Sequence, residues 1–70
     1  MDNIVWLVYP GDLVQVKRYD GERTIKYSGI VISEKYEDQN TMFPCVRVHI
    51  FAENDWQECF PHEIEIISSA

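Results

Sequence analysis

Residues 45–51 read Cys-Val-Arg-Val-His-Ile-Phe, an alternation of period two that places Val46, Val48 and Ile50 on one face and Cys45, Arg47, His49 and Phe51 on the other. A half-buried strand has this pattern and a helix does not, so the valine and isoleucine set is the expected core face. The pattern recurs in Val14 with Val16, and in Ile64 with Ile66 between Glu63 and Glu65. No apolar stripe of helical period runs for a useful length anywhere in the chain. The expectation is an all-β fold.

Short runs of β-branched and aromatic residues, bounded by Gly, Pro, Asn and Asp, predict strands near 4–9, 13–18, 27–35, 44–51, 56–60 and 63–67. Tyr-Pro-Gly-Asp at 9–12 and Asp20-Gly21 are turn signals, because Pro presets its own φ and Gly accepts positive φ. The polar segment 36–43 reads as an exposed loop, and Ala-Glu-Asn-Asp at 52–55 as a hairpin connection. At 70 residues there is room for one domain, 1–70, with 1–9 as an N-terminal edge strand. Five to six short antiparallel strands at this length are too few for a sandwich and most economically curl into a small barrel.

Hydrophobic residues make up 46% of the chain, with two Trp, four Tyr and three Phe, too apolar for a disordered segment. Six Lys and Arg stand against twelve Asp and Glu, a formal charge of −6. Nucleic-acid affinity comes mainly from basic groups that displace phosphate counterions, so direct nucleic-acid binding is disfavoured and proteins are the expected partners. The apolar run 4–9 has no basic flank or small-residue cleavage site and is far shorter than the ~20 residues of a membrane helix. A cytoplasmic protein without membrane contact is expected.

Cys45, His49, Cys59 and His62 fall at C-x3-H and C-x2-H spacings that resemble zinc-ligand pairs. If 52–55 closes the hairpin with Phe51 opposite Trp56, Val48 pairs with Cys59 and His49 with Glu58. Cys59 then faces the core, while Cys45 faces the other side, displaced by about 10 Å, and the ligands do not converge. That offset also exceeds disulfide reach, and two free thiols suit a reducing compartment. Neither metal nor cofactor is expected. Cys59 and His62 are the nearest approach to a nucleophile pair, but no third orienting group accompanies them, so no enzymatic activity is expected.

Pro-Gly-Asp-Leu-Val-Gln-Val at 10–16, Tyr-Ser-Gly-Ile-Val-Ile at 27–32 and residues 45–51 resemble successive strands of an SH3-like small barrel. Phe60-Pro61 followed by Ile64 and Ile66 resembles the tight turn that returns an SH3 chain to its final strand. The order is similar to that of the short acidic SH3-like proteins of tailed bacteriophages, which implies an accessory or assembly role in a host cytoplasm. Peptide-binding SH3 domains carry an Ala-x-Tyr-x-Tyr run and a Tyr three residues after the final Pro. Here the run is absent and Ile64 stands at the second position, so recognition of Pro-rich ligands is not implied.

On the expected hairpin register Trp56, Glu58 and Phe60 share the outward face with Arg47, His49 and Phe51. Three aromatics on an exposed face call for a cover, which marks these six residues as the expected partner-binding surface of a non-enzymatic protein-interaction module. Alternatively, the chain is a homo-oligomeric structural subunit pairing through its N-terminal strand, or a small zinc- or nucleic-acid-associated protein. Tyr9, Tyr19, Tyr27, Tyr36 and Trp56 further permit an aromatic cage for a methylated lysine.

Overall fold

The computed structural model describes residues 6–70 and places them in six antiparallel strands. These are β1 (Leu13–Asp20), β2 (Arg23–Val31), β3 (Tyr36–Glu37), β4 (Pro44–Ile50), β5 (Asp55–Cys59) and β6 (Ile64–Ser68). A 3-10 turn, Pro61–Glu63, precedes β6. Neighbouring strands pair in the order β6, β1, β2, β4, with β5 and the short β3 both on β4. The fold is all-β, a curled sheet forming a half-barrel compatible with an SH3-like barrel.

Alternation assigns the inner face, and burial agrees. Val14 and Val16 of β1, Val31 of β2, Val46, Val48 and Ile50 of β4, and Cys59 of β5 form one buried cluster with Val8. Tyr27, Ile64, Ile66 and Trp6 pack around it. β-Branched side chains dominate because their restricted χ1 suits the pleated surface of a sheet.

The β1–β2 hairpin is longer than its composition suggested: β1 runs to Asp20, and β2 starts at Arg23 rather than 27. Gly21, at φ +64°, turns the chain between the paired Asp20 and Arg23, so the ladder continues into polar, exposed residues. Ladder hydrogen bonds carry this end, where periodicity is silent. β2 ends at Val31 instead of 35, where the Ile32 N–H donates to the Arg47 carbonyl at 2.9 Å and the chain leaves for β3.

The expected strand at 4–9 lies partly outside the described residues. Within them, Trp6–Tyr9 joins no ladder, although Val8 is fully buried. Asp12 ties this segment down. Its carboxylate accepts the Tyr9 N–H at 2.9 Å and the Ala70 N–H at 2.8 Å, and its own carbonyl accepts the Val31 N–H at 3.0 Å. Lys35 adds a hydrogen bond from Nζ to the Trp6 carbonyl at 2.6 Å.

The segment 36–43 is a small hairpin, not a bare loop. Tyr36 and Glu37 pair with Cys45 and Pro44, and the Asp38 carboxylate collects the Asn40 and Thr41 N–H groups and the Thr41 hydroxyl. These bonds, with that from the Thr41 N–H foremost, hold Asp38 below the usual carboxylate range.

Candidate functional site

The β4–β5 hairpin closes one residue earlier on each strand than expected. Ile50 faces Asp55, His49 faces Trp56, Arg47 faces Glu58, and Val46 faces Cys59. The cause is Asn54, which adopts φ +50° at the last loop position, a conformation Asn tolerates far better than most side chains. Asp55 therefore joins the strand instead of the loop. A shift of two in the pairing sum preserves the faces, so Cys59 still points inward.

Cys45 is fully buried, because β3 lies beside it and Tyr36 closes over the outer face. The register brings Cys45 next to the Val46–Cys59 pair, closer than the expected 10 Å, but the two cysteines still face opposite sides and are both free. Burial pushes the Cys59 thiol up to about 12 and raises that of Cys45. Both are held protonated at neutral pH, the reverse of an activated nucleophile or metal-ready thiolate. Among the described residues no three His, Cys, Asp or Glu side chains are grouped to hold a metal ion.

Five of the six expected partner-binding residues, Trp56, Phe51, Arg47, His49 and Glu58, lie on one outward patch. The Arg47 guanidinium lies 4.7 Å from the Trp56 ring centroid and 5.5 Å from that of Tyr36. The Tyr36 hydroxyl donates to Glu58 Oε2 at 2.6 Å. Desolvation and this bond push Tyr36 up to about 12, so it stays a neutral donor. His49 packs edge-on to Phe51, centroids 6.1 Å apart. Trp56 is 49% exposed and Phe51 50%. Phe60 stands apart, because β5 ends at Cys59. It is half-buried, stacks on His62 at 6.3 Å, and is held by its N–H to the Glu63 carboxylate at 2.9 Å.

The five-aromatic cage does not assemble. Tyr9 faces Lys35 and Tyr27 faces Arg18, while Tyr19 is 77% exposed; only Tyr36 and Trp56 converge, and Arg47 fills the space between them. Tyr36 is not among the six expected residues because the polar composition of 36–43 predicts a loop. The available signal was Tyr36 and Phe43 bracketing a polar Asp-Gln-Asn-Thr turn, a hairpin pattern.

The pairing registers extend the patch into a row across the sheet. Trp56 faces His49, His49 faces Ile30, and Ile30 faces Leu13, all on the outward side. Leu13 is 40% exposed, and Ile32, beyond β2, is 48% exposed. Beside the Arg47 end, Tyr36, Glu37, Asp38, Gln39, Asn40, Arg47 and Glu58 line an open groove of about 360 Å³. Comparison of the chain with protein-family models, curated proteins and solved structures finds no match.

Proposed function

We propose that the protein is a non-enzymatic interaction module that docks another protein through the outward face of β4 and β5. Trp56 and Phe51 supply the buried area, with Arg47, His49 and Glu58 as neighbours and Phe60 at the margin. The observation that carries this reading is Trp56: a large aromatic, half-exposed, on the face that alternation turns away from the core. Such a side chain loses contact with water on binding and is the residue type most enriched among interface hot spots. The resemblance to short acidic SH3-like proteins of tailed bacteriophages favours an accessory or assembly role in a host cytoplasm. The net charge of −6 favours a protein over a nucleic acid as partner.

The test is affinity capture from native-host or infected-cell extract with wild-type and Trp56→Ala bait. A specific protein should be retained by the first and lost from the second, while circular dichroism and melting of the variant stay close to wild type. Global unfolding of Trp56→Ala would place the ring in the core and remove the docking face. Self-association, detected by light scattering over a concentration series and abolished by the same substitution, would favour a homo-oligomeric subunit instead.

A further inference from the structure

The groove beside Trp56 has a composition that selects its occupant. Its lining holds three carboxylates, Glu37, Asp38 and Glu58, against one cation, Arg47, and Tyr36 gives it an aromatic wall. The Arg47 guanidinium already sits between Tyr36 and Trp56, so this slot accepts a planar cation sterically and electrostatically. The same carboxylates repel phosphate. From the slot, the outward row continues over His49 and Ile30 to Leu13, three strand spacings or about 14 Å away.

Resting on the docking reading above, we infer that the occupant is an extended segment of a partner protein carrying an arginine, followed by apolar residues two and four positions on. Its guanidinium enters the slot between Tyr36 and Trp56 near Glu58. Its apolar side chains, about 7 and 14 Å from the arginine along one side of an extended chain, fall between His49 and Ile30 and over Leu13. Arg47 is then an internal placeholder, displaced when the ligand's cation arrives. Charge complementarity between the three carboxylates and the incoming guanidinium fixes which end of the segment lies over the groove.

The probe is the peptide Ac-Arg-Ser-Leu-Ser-Leu-amide, titrated into the 15N-labelled full chain and followed by amide and indole shifts. Saturable shifts are expected at Trp56, Glu58, His49 and Ile30. Glu58→Gln should weaken binding by about three- to fivefold, the scale of one partly exposed ion pair. Arg47→Ala, its fold verified by spectral dispersion, should tighten binding by clearing the slot. Absence of saturable shifts overturns the inference, as does equal binding of the peptide with Glu in place of Arg, or of oligothymidine. Weaker binding in folded Arg47→Ala also overturns it, by making Arg47 a contact. Trp56-dependent partner capture that persists when the probe fails would leave the docking reading standing and this inference refuted. Loss of both would refute both.

Discussion

Asp12 is a buried carboxylate, only 1% exposed, in a chain whose other described acids are exposed or half-buried. Its two oxygens accept N–H groups from Tyr9 and Ala70, residues at opposite ends of the described chain. Hydrogen bonds to a charged acceptor contribute roughly 1.5–3 kcal/mol each, and Asp12→Ala removes two of them, both part-buried. Asp12→Ala should therefore cost about 3 kcal/mol. In a domain of this size that is a Tm decrease of more than about 10 °C in a calorimetric or circular-dichroism melt. A decrease of only a degree or two would mean that the two ends are held by other contacts. Gly29 is the second residue-scale constraint. A Cβ there would meet the His49 carbonyl oxygen at 2.5 Å and Val48 Cγ1 at 2.7 Å, so Gly29→Ala pushes β2 away from β4. Destabilisation of about 2 kcal/mol or more is expected in urea denaturation, and an unchanged midpoint would contradict the close approach.

Among the elements, the β4–β5 hairpin depends most on a single loop conformation. Asn54 at φ +50° sets where the hairpin closes, and with it the pairing of Trp56 with His49. Asn54→Gly should be tolerated within about 0.5 kcal/mol, whereas Asn54→Val, β-branched at positive φ, should cost about 1–2 kcal/mol. Equal melting of the two variants would mean that the loop conformation does not control the hairpin. The alternation in 45–51 identified the inward face of β4 before any pairing was known, because the period of two survives any even shift of register. It could not identify the partner residue, which turn geometry decides. β3 is not marked by alternation, because two residues carry no periodicity, and Tyr36–Glu37 is a strand only because β4 offers a free edge beside Cys45.

At the scale of the whole molecule, two buried or bonded acids link the fold to alkaline pH. Cys59 rises from its ordinary 9.0 to about 12, chiefly by burial, and Tyr36 from 10.0 to about 12, by desolvation and its bond to Glu58. In the unfolded chain both groups lose their protons at their ordinary values, whereas the folded chain keeps them to about 12. Unfolding thus releases protons between about pH 9 and 12, and stability falls as pH rises through that window while being fully present below it. Melting temperature should be level around neutrality and decline above about pH 9, with Cys59→Ala showing a shallower decline. A Tm constant to pH 11 would contradict the burial of these groups.

What the amino-acid order determined by itself was the class of fold and the sidedness of its strands. Val14, Val16, Val46, Val48, Ile50, Ile64 and Ile66 announce their inner face by alternation, and Asp20-Gly21 announces its turn, because both are properties of the local backbone. Gathering Trp56, Arg47, His49 and Glu58 on one outward face was legible for the same reason. Tertiary structure alone decided that Tyr36 would close over Cys45 and clasp Arg47, that Asp12 would be buried between the chain's two ends, and that Phe60 would turn away to His62. Each of these depends on which strand edges become neighbours in the curled sheet, and neighbour choice is a property of the folded whole that no local period encodes.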